Sequence, residues 1–298
     1  WRKVTRATLM DDDKEMFLTG SPQGEPGLRE AIRGYLHSAR GVNCTADQII
    51  IGAGSEYLMM LLTQILGTSR TIAMENPTYR QAYRVFESLG CQMKPVEMDA
   101  HGMNVRLLEE SGADIAYVMP SHQYPMGVVM PVKRRQELLS WAGRGEKRYL
   151  IEDDYDSEFR YRGKPVPALQ GMDIQGKVIY MGTFSKSIAP AIRVGYLVLP
   201  APLLAVYKRK CGFYASTDSR IDQKIIYQFL TEGHYERHLN RMRAIYKGKH
   251  DMLMSELKTL GTEFIVQGEY AGLHVLLKYR KAGMETWLVE EAAKARVG

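Results

Sequence analysis

The chain has 298 residues, of which 45% are hydrophobic, and carries a formal net charge of +6. This length suffices for one large α/β domain or two smaller ones, and because no run of eighteen apolar residues occurs, no membrane-spanning helix is expected. Its three cysteines, Cys44, Cys91 and Cys211, lie far apart without CxxC spacing, which argues against a disulfide framework and a zinc site and favours a reducing cytoplasm.

The first predicted element is an amphipathic helix over residues 26–41. It opens with proline, repeats apolar side chains at Leu28, Ile32 and Leu36, and ends at glycine. From residue 49 onward short apolar strands alternate with helices: strands are predicted at 49–54, 71–74, 92–96, 115–119, 149–154, 178–182 and 193–199, and helices at 55–66, 79–89 and 132–143. Nearly all-apolar strands that alternate with helices predict an α/β fold with a mainly parallel sheet covered on both faces.

Longer helices are predicted after Pro200, over residues 202–213, 221–233 and 234–260, and a short α+β portion begins at Glu263. This change of pattern predicts a second domain. Basic residues are densest at 208–210 and 237–250, in the first and the last of these helices, and apolar side chains at helical spacing in the latter favour a solvated helix face. A nucleic-acid contact is the alternative, since a modest basic excess is only an electrostatic indication.

Chemistry-bearing residues follow several of the predicted strands. Ligands of an open parallel sheet lie beyond the carboxyl ends of its strands, so these positions are the informative ones. Small residues that open a helix can bring backbone N–H groups to a phosphate. The candidates are Gly54, Ser55 and Glu56 after the first strand, Tyr79 after the second, Asp153, Asp154, Tyr155 and Asp156 at the end of 149–154, and Thr183, Ser185, Lys186 and Arg193 after 178–182.

Together these groups match the parts of pyridoxal phosphate. Lys186 offers an amine for the aldehyde, and burial near other cations would keep that amine neutral. Asp153 offers a carboxylate that keeps the pyridine nitrogen protonated, with Asp154 as the alternative. Tyr79 offers an aromatic face for the ring, and hydroxyls with Arg193 offer a phosphate site.

Each candidate also has a plainer interpretation. Lys186 could be an exposed lysine at a strand end, Asp153 a helix cap, and Tyr79 a core aromatic residue. "TFSK" could be the S-x-x-K turn of serine acyl-transfer enzymes, although no "SDN" or "KTG" element follows. His234 and His238 lack the HExxH order, so no metal site is predicted there, and His122 is either a supporting contact or a surface-turn residue.

Three segments, "EDDYDSEFRY", "SHQYPMG" and "MGTFSKSIAPAIRVGYLVLP", resemble the fold type I aminotransferases. More narrowly, they resemble the aminotransferase-like domain of the MocR branch of GntR-type bacterial transcription regulators. The resemblance implies that Lys186 holds pyridoxal phosphate as an internal aldimine, that Asp153 pairs with the pyridine nitrogen, and that Tyr155 reaches the ring hydroxyl. It further implies stacking by Tyr79 and a phosphate site built from Ser55, the Glu56 backbone, Thr183, Ser185 and Arg193.

The same resemblance implies an arrangement of domains and partners. A large domain over residues 17–251 with a seven-stranded sheet and a small domain from 1–16 and 252–298 are expected. A homodimer is implied, with DNA bound only through a winged helix-turn-helix domain preceding Trp1. Thr19 stands where the family often has a tyrosine donated across the dimer, and the substrate-carboxylate arginine is expected beyond Gly298.

One further departure favours the regulator branch. Free-standing enzymes usually have asparagine before the proline of the "xPxG" turn, whereas this chain has Tyr124, which is also expected among the cofactor contacts. The predicted function is therefore a cytoplasmic, effector-sensing and dimerisation domain, in which small amino compounds replace Lys186 on the cofactor. The alternative is a free-standing aminotransferase of amino acids.

Overall fold

The structure, a computed structural model, describes residues 1–10, 14–161 and 166–297. Its helices are α1 (Arg2–Met10), α2 (Pro26–Arg40), α3 (Gly54–Leu66), α4 (Arg80–Ser88), α5 (Val105–Glu110), α6 (Val132–Gly143), α7 (Ala201–Lys210), α8 (Arg220–Thr231), α9 (His234–Leu257) and α10 (Glu285–Lys294). Its strands are β1 (Ile49–Gly52), β2 (Thr71–Asn76), β3 (Gln92–Asp99), β4 (Gly102–Met103), β5 (Ile115–Val118), β6 (Tyr149–Asp154), β7 (Val178–Thr183), β8 (Gly195–Val198), β9 (Phe264–Gln267) and β10 (Leu276–Tyr279).

The main sheet has the order β1-β8-β7-β6-β5-β2-β3-β4. Strands β7, β6, β5, β2 and β3 run parallel to their neighbours in that series, whereas β8 pairs antiparallel with both β7 and β1. The mainly parallel α/β sheet is thus confirmed. It has eight strands within the described residues rather than seven, because the two-residue strand β4 folds back antiparallel on the end of β3.

Helices cover both faces of this sheet because successive side chains of each strand point to opposite sides. On β7, Ile179 and Met181 pack in one apolar cluster with α3, whereas Val178 and Tyr180 belong to clusters on the other face. On that second side, α2 contributes Ile32 and α8 contributes Ile225, together with other buried side chains. No described helix combines the length and the apolar character needed to cross a bilayer.

A smaller two-stranded sheet, β9 with β10, precedes α10. The segment between its strands docks on the loop after β6: the Tyr161 N–H donates to the Tyr270 carbonyl at 3.0 Å, and the Gly272 N–H donates to the Phe159 carbonyl at 2.7 Å. The division into 17–251 and 1–16 plus 252–298 stays a prediction, and α9 runs unbroken through residue 252.

Candidate functional site

A cavity of about 310 Å³ lies where β6 and β7 end and α3 begins. All eleven residues that the sequence analysis proposed as cofactor contacts line it: Gly54, Ser55, Glu56, Tyr79, Tyr124, Asp153, Tyr155, Thr183, Ser185, Lys186 and Arg193. These residues come from six separate stretches of the chain. The parallel strands bring them together because their carboxyl ends share one edge of the sheet.

Asp153 and Asp154 point to opposite faces of the sheet. Asp153 lines the cavity, lies opposite Met181 of β7, and accepts a hydrogen bond from the Tyr117 hydroxyl. Asp154 lies behind the sheet, where its Oδ2 accepts from the Arg40 Nε at 2.8 Å and from the Tyr180 hydroxyl at 2.5 Å. Of the two adjacent carboxylates, only Asp153 faces the cavity.

Their environments shift the pKa values of the two carboxyl groups in opposite directions. Burial raises the pKa of Asp153 to about 7, against the Tyr117 hydrogen bond and with help from neighbouring carboxylates. Burial opposes ionisation of Asp154 as well, but the Arg40 guanidinium and the Tyr180 hydrogen bond outweigh it and lower the pKa of Asp154. Among the described residues no cation pairs with Asp153, and a buried carboxylate of this kind is suited to a ligand that brings a positive charge.

Lys186 lies in the turn after β7, three residues beyond the strand end, and its side chain is exposed. A buried amine was expected here from the sequence, and that expectation is wrong. The turn places Lys186 beyond the apolar part of the strand. The next residue anchors the turn. The buried Ser187 accepts a hydrogen bond from the Tyr235 hydroxyl at 2.9 Å, and its carbonyl lies 2.9 Å from His238 Nε2, both from α9.

An anion-binding end of the cavity is formed by the start of α3 and by Arg193. Gly54 has φ +85°, and a Cβ there would lie 2.8 Å from an Arg193 guanidinium nitrogen, so the site depends on glycine. The Arg193 guanidinium contacts the Glu56 carboxylate at 2.7 Å. Burial acts to raise the pKa of Glu56, but hydrogen bonds from its own backbone and from Arg193 lower it.

The two hydroxyl residues of this end are ordered by the backbone. The Ser185 N–H donates to Thr183 Oγ1 at 3.1 Å, and the Ser185 hydroxyl donates to the Ile192 carbonyl at 2.6 Å. The backbone N–H groups at the helix start, the hydroxyls and the guanidinium together form the donor set that a phosphate requires.

Aromatic side chains form another wall. Tyr79 precedes α4 and meets Tyr124 edge to face, with ring centroids 5.9 Å apart. Tyr155 donates from its hydroxyl to the His122 carbonyl at 3.0 Å and lies 3.2 Å from His122 Nδ1. Burial, then Asp156 and Asp153, raise the pKa of Tyr155 above its usual range, so its phenol keeps its proton.

Several residues of the site were not proposed from the sequence. Met119, Met181, Gly182 and Pro190 also line the cavity. The two methionines carry no chemical signal, since apolar residues at a strand end look like core. Gly182 is required because a Cβ there would lie 2.5 Å from the Tyr196 ring.

His122 is buried, so it is a supporting contact and not a surface-turn residue. Its ring, Asp156 and His274 offer donor atoms that all lie within 4.8 Å of one another. The polar contacts of His234 and His238 differ: His234 contacts Glu232 at 3.2 Å, while His238 supports the Lys186 turn.

Comparison with known proteins identifies the family. The family model described as aminotransferase class I and II matches residues 1–296. The chain belongs to this family. Membership indicates pyridoxal phosphate as the cofactor, and the observed donor set fits it: a buried carboxylate, an accessible lysine, aromatic walls and an anion site in one cavity.

Among curated relatives, the uncharacterized HTH-type transcriptional regulator YdeL of Bacillus subtilis is 38% identical over 295 residues, which are 99% of this chain and 64% of the relative. The probable rhizopine catabolism regulatory protein MocR of Rhizobium meliloti is 33% identical and is covered over 57% of its length. The chain therefore spans less than two thirds of these relatives.

Among solved structures, a kynurenine aminotransferase of Pyrococcus horikoshii superposes with a TM-score of 0.87 at 26% identity. The match covers 100% of this chain and 77% of that one. The fold is thus that of the fold type I aminotransferases.

Proposed function

We propose that this chain is the pyridoxal-phosphate-binding, effector-sensing and dimerisation domain of a bacterial transcription regulator. One observation carries the proposal: Lys186, Asp153 and Arg193 line the same cavity, with Asp153 buried at its floor. An amine, a carboxylate and an anion-binding cation placed together are rare by chance and match the three ends of this cofactor.

When bound, pyridoxal phosphate supplies an aldehyde that condenses with amines and a ring that accepts electrons. Lys186 would provide the amine that holds the cofactor. Asp153 holds a proton on the pyridine nitrogen, and Tyr155 hydrogen-bonds the ring hydroxyl. Tyr79 and Tyr124 enclose the ring.

The phosphate is held by the first turn of α3 and by the loops around β7. Backbone N–H groups at Ser55 and Glu56, the hydroxyls of Thr183 and Ser185, and the Arg193 guanidinium supply donors and positive charge. Gly54 leaves the space that lets Arg193 approach the helix start.

The regulator assignment rests on two observations. The relatives YdeL and MocR are named as regulators, and their matches cover 99% and 95% of this chain at 38% and 33% identity. Tyr124 occupies the "xPxG" turn and packs against Tyr79. We infer that DNA is bound by a separate domain of the longer protein, in the bacterial cytoplasm, and that this chain supplies the dimer contacts.

A free-standing aminotransferase is the second candidate, and the Pyrococcus horikoshii structure favours it. Such an enzyme holds its amino acid by the carboxylate, best with a bidentate arginine. Among the described residues that line the cavity, Arg193 is the only arginine, and we assign it to the phosphate.

Titration with amino compounds separates the two candidates. We expect added amines to change the visible spectrum of the cofactor-loaded protein quickly, while pyridoxamine phosphate accumulates slowly and keto acids give little repeated turnover. Sustained transamination on the order of 1 per second or faster would overturn the sensor assignment in favour of the enzyme. Arg193→Lys keeps the positive charge but loses the bidentate geometry of the guanidinium, so it tests what that geometry contributes.

A further inference from the structure

His122 and Asp156 form a buried pair directly behind the cavity wall. Each residue is 1% exposed, and His122 Nδ1 lies 3.0 Å from Asp156 Oδ2. Neither residue lines the cavity. Tyr155 does, and its hydroxyl lies 3.2 Å from the same His122 Nδ1, so Tyr155 connects the pair to the cavity. The pair is therefore one contact removed from the cofactor site.

The partners of the pair fix the direction of its hydrogen bonds. Asp156 Oδ2 also accepts from the Leu273 N–H at 3.2 Å, so the carboxylate acts as an acceptor and His122 Nδ1 carries the proton. The Tyr155 hydroxyl donates to the His122 carbonyl at 3.0 Å. The phenol oxygen also lies 3.2 Å from Nδ1, so the ring N–H that points to Asp156 is shared with this oxygen.

The segment after β9 closes over this pair. Gly272 has φ +74°, and a Cβ there would lie 1.8 Å from His122 Nδ1 and 2.6 Å from Asp156 Oδ2. The His274 ring packs on the His122 ring with centroids 4.5 Å apart, and His274 Nε2 lies 3.1 Å from the Pro125 carbonyl. The main chain therefore fills the space beside the pair and prevents it from turning away.

The same side chains are close enough to be metal ligands. Hydrogen bonding describes them better, because Nδ1 and Oδ2 already have partners and the main chain of Gly272 packs against their shared edge. An ion there would have to displace the proton that joins the two atoms.

We propose that His122 is a positioning residue that, oriented by Asp156, fixes the Tyr155 hydroxyl toward the bound cofactor. This rests on the proposed function in one respect, namely that the ligand is pyridoxal phosphate. The Tyr155 hydroxyl has one proton, which goes to the His122 carbonyl here; with the cofactor bound, that proton would turn to the ionised ring oxygen while the Nδ1–H group keeps the phenol oxygen in place. Loss of the pair therefore weakens cofactor binding and makes the ring oxygen harder to ionise.

The test compares His122→Leu, His122→Asn, Tyr155→Phe and the double variant His122→Leu/Tyr155→Phe. Cofactor dissociation constants and the pH midpoint of the visible band are measured for each. We expect His122→Leu to weaken binding roughly fivefold to tenfold and to raise the midpoint, as Tyr155→Phe does. His122→Asn, whose amide nitrogen can replace Nδ1, should recover most of both effects.

The double variant should be no worse than Tyr155→Phe alone, because His122 acts only through Tyr155. Additive losses, or a His122→Leu protein with wild-type affinity and midpoint, would overturn the proposal. So would zinc bound one per chain by the wild type and lost in His274→Ala.

A measurement without cofactor separates this proposal from the function it rests on. In the cofactor-free protein, ¹⁵N NMR of the His122 ring should show Nδ1 protonated, and Asp156→Asn should change that signal. If the signals behave so but the wild type takes up no pyridoxal phosphate, the proposed function is wrong and the hydrogen-bonded pair remains. If His122 carries its proton on Nε2 alone, the pair itself is wrong.

Discussion

Two neighbouring carboxylates on β6 show how single residues acquire different chemistry. Asp154 is neutralised by Arg40 behind the sheet, whereas Asp153 faces the cavity and accepts a hydrogen bond from the Tyr117 hydroxyl. Period-two alternation separates them, and burial acts on both. One residue therefore serves stability, and the other is available for a cationic ligand.

Replacing each carboxylate by its amide should separate these roles. Asp153→Asn removes the charge that holds a proton on the pyridine nitrogen, so we expect cofactor affinity to fall at least about tenfold, as loss of a buried charged hydrogen bond would cause. Folded Asp154→Asn should keep near-normal affinity. Equal affinities and spectra for the two variants would contradict the assignment of Asp153.

In the cofactor-free protein, the effects of the two substitutions on stability should be reversed: Asp154→Asn should destabilise the fold and Asp153→Asn should not. Because the pKa of Asp153 is raised to about 7 in the folded state, that carboxyl group favours folding at low pH and loses this contribution as pH rises toward 7. Asp153→Asn should therefore unfold at no lower urea concentration than the wild type at pH 8, with a shallower decline between pH 5 and 8.

Asp154→Asn is the matched comparison for that measurement. It leaves Arg40, whose side chain is 8% exposed, without its charged partner, and should cost about 3 kcal/mol. If Asp153→Asn is destabilised and Asp154→Asn is not, the assignment of the two environments to these residues is wrong.

Secondary-structure elements were predictable where local pattern and tertiary packing agree. The bounds of α6 and β6 match the predictions, since β6 is apolar up to its acidic end and α6 lies between Pro131 and a glycine. Helices α1 and α5 were not predicted. α1 buries only Val4 and Thr8 and is held by contacts with α8, and α5 has six residues with an Asn104 cap, so neither shows a repeating apolar stripe.

The site could be predicted in its residues but not in its pairings. Positions at and after strand ends gave eleven of the fifteen residues that line the cavity, because topology fixes where parallel strands end. Pairs such as Arg193 with Glu56 or His122 with Asp156 join distant segments, and no local pattern encodes them. The exposure of Lys186 depends on the length of its turn and was likewise not visible in the sequence.

Helix α8 offers a test at the level of one element. The Ser219 hydroxyl accepts from the Asp222 N–H at 3.0 Å and caps the helix that packs on α1 and α2. Ser219→Ala should lower the free energy of unfolding by about 1 kcal/mol in urea titrations. Ser38→Ala, at an exposed serine in the last turn of α2 whose hydroxyl donates to the Gly34 carbonyl, is the control and should change little; equal losses would argue against the cap.

The molecule as a whole exposes large apolar side chains near its N-terminal part. Met10 and Phe17 are each 76% exposed, and Leu18 is 64% exposed. Clustered apolar exposure of this kind indicates a surface that another protein covers. The proposed homodimer gives that surface a partner.

Sedimentation of the cofactor-loaded protein tests this arrangement. We expect a dimer at micromolar concentration, and dissociation to monomers in Phe17→Glu/Leu18→Glu, because two buried charges per subunit would oppose association. Ile174→Glu, at a 95% exposed apolar residue in the loop before β7, should remain dimeric. A monomeric wild type with cofactor bound would contradict the dimer.

Whether Lys186 carries the cofactor is decided by incubating the protein with pyridoxal phosphate, reducing it with borohydride and locating the label by peptide mass spectrometry. We expect one pyridoxyl group per chain, on the peptide that contains Lys186, and we expect this label to be lost in Lys186→Ala. Lys177→Ala, whose ammonium group bonds to the Gly145 and Glu146 carbonyls away from the cavity, should be labelled like the wild type. A protein that takes up no cofactor, or whose label lies on another lysine and survives Lys186→Ala, would contradict it.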